Sequence, residues 1–300
     1  MPLVELVRTL TRDGLRLDGA LASHSLSRPQ GETRNEDGAA NSASRPTAAL
    51  LLHGVAGNFY TSSTFEPLIA KLQEIGLAVL SANTRGHDSV FGATLGNVRR
   101  RMGAAYETVD DCRLDVAAWI EFLKNRGHPR VVLIGHSLGA VKAVYSQSHE
   151  EFAEVAAVVS VSAPRLSYSA FMNSAESSLF WESIHTAEQM AKAGRGDELF
   201  TGKFPVPMLI TAAGYIDKYG PAERYNLLKF AAAVPCPALF LYGTRELSSG
   251  GVAFAGLPEA LLALPHPQRR QIVVIEGADH FYSGTADQLA EAVGNWVISH

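Results

Sequence analysis

Cysteine is nearly missing from this chain. Two residues in 300, Cys112 and Cys236, allow one disulfide and rule out a disulfide framework. Cys112 falls within a helical pattern and Cys236 between Pro235 and Pro237. Both read as free thiols of a reducing compartment, which points to the cytoplasm. Long hydrophobic runs are also missing. No window reaches the roughly 18 uncharged apolar residues that a membrane-spanning helix needs, so no span is expected. The opening residues, Met1 to Arg8, carry charge early and lack the apolar stretch of a signal peptide. Neither sign of charge dominates: 26 basic against 30 acidic residues leave a formal net charge of −4. That balance gives no electrostatic footprint for nucleic acid or an anionic membrane surface. The densest basic cluster, Arg99-Arg100-Arg101, is short and reads as a solvated face. His53, His87, His136 and His280 lack ligand spacing such as H-E-x-x-H, so no metal site is expected. No G-x-G-x-x-G follows a strand and no G-x-x-x-x-G-K-[ST] occurs, so no nucleotide cofactor is implied. Internal repeats are absent.

What remains is an ordinary globular balance, 47% hydrophobic and 19% charged. The length suits one large domain or a domain with a sizeable insertion. Residues 3–11 and 15–23 alternate apolar and polar around the turn Arg12-Asp13-Gly14, an antiparallel hairpin. Residues 25–46 hold one large apolar residue, Leu26, and read as a flexible surface loop.

An alternation of apolar strands and amphipathic helices follows. Strands are expected at 47–52, 77–82, 131–134 and 155–162, with helices at 66–76, 106–125 and from Ala140 to Gln147. The Asn83–Asp88 segment reads as a polar loop that Gly92 and Gly96 extend. Strands this apolar imply a mostly parallel sheet with helices on both faces. The rhythm pauses over 163–234. Helical patterns at Phe180–Lys192 and Ala222–Ala232 stand there, and 203–211 is ambiguous. This stretch reads as a cap over the rest of the chain. Its apolar and aromatic residues, among them Phe171, Phe180 and Trp181, divide between packing and cleft lining in a way the sequence does not sort. The rhythm resumes with strands at 237–242 and 271–275 and a helix at 285–298. The expected division is therefore 1–162 with 235–300 as the core domain and 163–234 as the cap.

The chemistry centres on Gly135-His136-Ser137-Leu138-Gly139, set between a buried strand and a helix. A strand that turns straight into a helix crowds the backbone, which favours glycine on both sides of the central residue. The serine hydroxyl is then held above the sheet edge, and the Leu138 N–H at the new helix start can face a developing oxyanion. Serine needs a base, and histidine oriented by a carboxylate is the usual one. His280 directly follows the last strand. Glu246 follows the strand before it, and Asp217 and Asp279 are the other carboxylates to weigh. His53 reads as a structural hydrogen-bonding group, His87 and Asp88 as loop anchors, and His136 as packing below the serine.

With these motifs the chain resembles the α/β-hydrolase superfamily. The matching elements are His53-Gly54 with Gly57, the Gly135–Gly139 elbow, Arg85-Gly86-His87, and Gly277-Ala278-Asp279-His280-Phe281. The resemblance implies an α/β-hydrolase fold with an eight-stranded, mostly parallel sheet and a helical cap insertion. It implies Ser137 as nucleophile, His280 as base and Glu246 as acid. Glutamate stands where the family usually has aspartate. The Val55 and Leu138 N–H groups would form the oxyanion hole, with Ala56 the fallback for Val55. The expected function is a serine esterase acting on a small-molecule ester without a cofactor. Amide, thioester or C–C cleavage, acyl transfer, and a non-catalytic binding protein on the same scaffold remain open. The oligomeric state is not legible.

Overall fold

The computed structural model describes residues 4–23, 46–61 and 65–300. The expected loop at 25–46 lies, apart from Pro46, outside the described residues. The chain opens with β1 (Val4–Leu10) and β2 (Arg16–Ala22), paired antiparallel about Gly14. Then follow β3 (Ala48–Leu52), α1 (Glu66–Glu74), β4 (Ala78–Ala82) and a small hairpin of β5 (Phe91–Leu95) with β6 (Val98–Met102). Next come α2 (Cys112–Asn125), β7 (Val131–His136), α3 (Leu138–Glu150) and β8 (Val155–Val161). Between β8 and the next sheet strand lie α4 (Tyr168–Met172), α5 (Ser177–Lys192), β9 (Leu199–Gly202), β10 (Met208–Thr211), α6 (Ala212–Tyr219) and α7 (Leu227–Phe230). The chain closes with β11 (Ala238–Gly243), α8 (Thr244–Ser249), α9 (Leu257–Leu262), β12 (Arg270–Ile275) and α10 (Ala286–Ile298).

Eight strands form one sheet in the order β1-β2-β4-β3-β7-β8-β11-β12. Only β2 runs against its neighbours; from β4 to β12 all pairs are parallel. β3, β7, β8 and β11 are buried along their whole length, which is why they read as continuous apolar runs. Alternate residues feed two cores. Leu50, Leu52 and Leu133 face α2, α3 and the 163–234 insertion. Ala49, Leu51, Val132 and Ile134 face α1 and α10, where Leu68, Leu72, Leu289 and Val293 meet them. The insertion shares its core with the body, since Phe171, Phe180 and Tyr215 belong to the same buried cluster as Val141 and Phe240.

Four local expectations are refined. The polar loop after β4 contains the β5–β6 hairpin, closed by the two-residue turn Gly96-Asn97 with Gly96 at φ 58°. The arginines of β6 hide the alternation there. The ambiguous 203–211 stretch supplies β10, which pairs with β9. The helix expected over Ala222–Ala232 shrinks to α7, because Glu223 sits at φ 47° and the Asn226 side chain caps the Leu228 N–H. The helix expected from residue 106 begins as a single 3-10 turn at Val109.

Candidate active site

Ser137 stands between β7 and α3 with φ 56° and ψ −122°, a conformation that non-glycine residues rarely adopt. The surroundings dictate it. A Cβ on Gly135 would lie 2.1 Å from the Gly139 carbonyl oxygen, and one on Gly139 would lie 2.4 Å from the carbonyl oxygens of Leu52 and His53. No other residue fits either position without moving the backbone. The Ser137 N–H donates to Val161 O at 2.9 Å, tying the turn to β8.

The loops after β11 and β12 bring the partners in. His280 Nε2 lies 3.0 Å from Ser137 Oγ, and His280 Nδ1 lies 2.5 Å from Glu246 Oε1. Glu246, 3% exposed, occupies the third position of α8. Its Oε2 accepts from Ser162 Oγ at 2.7 Å and from the Gly243 N–H at 3.4 Å. The Ala278 carbonyl oxygen accepts from the N–H groups of Arg245 and Glu246, so the two loops share a fixed spacing. The carboxylate is thus held from both ends. The other carboxylates weighed for this role are engaged elsewhere. Asp217 takes Tyr225 OH at 2.8 Å and pairs with Arg224. Asp279 Oδ1 accepts from the N–H groups of Phe281 and Ser283.

His136, His53 and His87 act as supports around the site. His136 Nε2 donates to the His280 carbonyl oxygen at 2.7 Å, and burial pushes its pKa down from 6.5 to about 4. His53 Nδ1 donates to Gly54 O at 2.8 Å, while its Nε2 accepts from the Thr84 N–H at 3.0 Å. Burial, with the nearby Lys142 charge, lowers its pKa to about 3. His87 pairs with Asp88 at 2.9 Å and stacks on Phe91. Asp88 also accepts from Asn58 and Tyr60.

Val55 follows Gly54, whose Cβ position would be 3.1 Å from Ser137 Cβ, so this loop runs close beside the serine. The Val55 N–H has no backbone acceptor among the described residues. Leu138 is the first residue of α3, where N–H groups lack intrahelical partners. Gly57 N–H folds back to Gly54 O at 3.1 Å.

Sequence reasoning missed several residues. Ser162, at φ 53°, directly follows β8 and holds Glu246, while a second hydrogen bond joins it to Tyr282 OH at 3.2 Å. A serine closing an apolar strand was the available signal. Phe254 and Phe281 flank the His280 ring at 5.3 and 5.0 Å between centroids, and Phe281 is 63% exposed. By contrast Phe171, Phe180, Ile184, Tyr215 and Tyr219 are buried in the core that the insertion shares with the body. Among the described residues, no group of three His, Cys, Asp or Glu side chains is placed to hold a metal ion. Among the described residues, no helix is long and apolar enough to cross a membrane either.

The fold is shared with solved structures. Est1E from Butyrivibrio proteoclasticus, with ferulic acid bound, superposes at a TM-score of 0.64 with 16% identity over 98% of both chains. The esterase Pf2001 from Pyrococcus furiosus gives 0.64 and 16%, covering 99% of this chain and 91% of its own. The monoacylglycerol lipase of Paleococcus ferrophilus gives 0.60 and 18%, covering 85% and 96%. No curated relative matches the chain in sequence. The model of the alpha/beta hydrolase family matches residues 49–292, and the chain belongs to that family.

Proposed function

We propose that the protein is a serine hydrolase that cleaves a carboxylic ester through an acyl-enzyme. One observation carries this reading: the unbroken series from Ser137 Oγ through both His280 nitrogens to Glu246, built on a strained serine. In the reaction Ser137 Oγ attacks the ester carbonyl while His280 Nε2 takes its proton. Glu246 accepts from His280 Nδ1–H, fixes the tautomer and offsets the imidazolium charge. The N–H groups of Leu138 and Val55 receive the oxyanion, each contributing about 2.7–4 kcal/mol of transition-state stabilisation. His280 then returns the proton to the leaving alcohol. Water repeats the cycle on the acyl-enzyme, with His280 as base again.

Phe254 and Phe281, whose rings flank His280, supply apolar wall for the bound ester. The 163–234 insertion acts as the cap. The free thiols Cys112 and Cys236, which burial pushes to about 12 and about 11, are consistent with a reducing cytoplasm. The test is Ser137→Ala. Hydrolysis of short-chain chromogenic esters should fall to background, and survival of the full rate would overturn the reading.

A further inference from the structure

Behind the serine lies a buried polar series that the proposed reaction does not use. Lys142 projects from the second turn of α3 and is 1% exposed. Its Nζ donates to Thr84 Oγ1 at 3.1 Å and to Glu107 Oε1. Thr84 Oγ1 lies 3.1 Å from His53 Nε2. The lysine's proton occupies an acceptor site of the hydroxyl, so the hydroxyl hydrogen is free to donate to His53. Thr84 N–H donates to the same nitrogen. With Nε2 held as acceptor, the ring proton must sit on Nδ1, where it meets Gly54 O. Gly54 C=O and Val55 N–H are the two ends of one planar trans peptide. Fixing the carbonyl, through His53 and Gly57, therefore fixes where the Val55 N–H points.

The other end of the series reaches the insertion. Glu107 Oε2 and Lys218 Nζ are buried without a hydrogen-bond partner, 3.8 Å apart. Lys218 belongs to α6, whose start is bound to the body by Thr211 N–H donating to Ala105 O at 2.8 Å. Glu107 thus commits one oxygen to the body and turns the other toward the insertion. Burial would raise its pKa, but the charges of Lys142 and Lys218 outweigh burial and hold it low. Gly86 makes room for this arrangement: a Cβ there would lie 2.1 Å from Glu107 Oε1.

We propose that Lys142 is a positioning residue for the Gly54–Val55 peptide, acting through Thr84 and His53, and that Glu107 and Lys218 join α6 of the insertion to the same relay. The proposal rests on the serine-esterase reading for its kinetic consequence but not for its geometry.

Two readouts separate the two claims. The first is turnover of a chromogenic ester and of its thionoester, whose sulfur accepts hydrogen bonds weakly. Thr84→Val and the charge-neutral pair Lys142→Met/Glu107→Gln should lower ester kcat about 10-fold or more, with KM little changed, because the misaimed donor matters in the transition state. The thionoester rate should fall less, Thr84→Ser should restore the ester rate, and Lys218→Met should give a smaller loss in the same direction. Thr84→Val keeps every charge, so it reports even where the double variant does not fold. Unchanged kcat in folded Thr84→Val, or equal losses on ester and thionoester, would overturn the relay. The second readout is the 15N spectrum of His53 in histidine-labelled protein. It should show the Nδ1–H tautomer in both wild type and Thr84→Val, because the residue-84 N–H stays on Nε2, with the Nε2 resonance moved in the variant by loss of the hydroxyl donor; an unmoved Nε2 resonance, or the Nε2–H tautomer in the wild type, would overturn the relay. A wild type without turnover contradicts the esterase reading alone, since the tautomer still tests the relay.

Discussion

Ser137 is costly to hold at φ 56° and ψ −122°. Strain of this kind is worth about 1–3 kcal/mol, against about 0.4–1 kcal/mol that a glycine adds to unfolded-chain entropy. Ser137→Gly should therefore raise the melting temperature while removing turnover, and differential scanning calorimetry checks the sign. Glu246→Gln keeps the side-chain volume but allows the wrong His280 tautomer. On the proposed mechanism kcat should fall about 10³–10⁴-fold. Asp217→Asn, whose parent pairs with Arg224 and Tyr225, should leave kcat near wild type. His136 gives a stability signature. Its folded pKa is about 4 against 6.5 unfolded. As pH falls below about 6.5 the unfolded chain binds a proton that the folded chain refuses, so stability declines until about pH 4 and no further on this account. The loss approaches about 3 kcal/mol. Urea denaturation across that window should show a shallower slope for His136→Gln than for the wild type.

At the scale of elements, the loop after β4 ties three parts of the fold together. Arg85 donates from its backbone N–H to Asp115 Oδ2 at 2.8 Å and from its guanidinium to Asp115 Oδ1, anchoring β4 to α2. It also reaches Asp13 in the β1–β2 turn at 3.0 Å. Asp115 is fully buried, so Asp115→Ala strips a buried cation of its main partner and should cost about 3–5 kcal/mol, read as a shifted urea midpoint. This loop also shows where the sequence was legible. Strands such as β3, β7 and β11 declared themselves by unbroken apolar runs, and α10 by its spaced Leu289, Val293 and Trp296. The glycines around Ser137 announced a close approach of backbone. The contacts that set Lys142 against Glu107 and Thr84 join residues 35 and 58 positions apart, with no local periodicity to mark them. Likewise Ser162 and Glu246 meet only once β8 and β11 are neighbours. The short α7 escapes a sequence reading because Glu223 interrupts a run of helix formers through its backbone conformation alone.

Taken as a whole, the molecule builds its site along the carboxyl ends of β3, β4, β7, β11 and β12, the edge where open parallel sheets bind ligands. The insertion's aromatic interior is continuous with the body's larger core. Body and insertion should therefore unfold in one cooperative transition, with calorimetric and van't Hoff enthalpies equal, whereas an independent cap would melt separately. The central claim is that Ser137 is the nucleophile of ester hydrolysis. Its most direct measurement pairs intact-mass analysis after fluorophosphonate treatment with residual ester turnover, in wild type and in Ser137→Ala. The account predicts one adduct per chain, mapped to Ser137, with turnover lost in proportion to labelling, and neither adduct nor turnover in the variant. An adduct on another residue, or full turnover by Ser137→Ala, would contradict it.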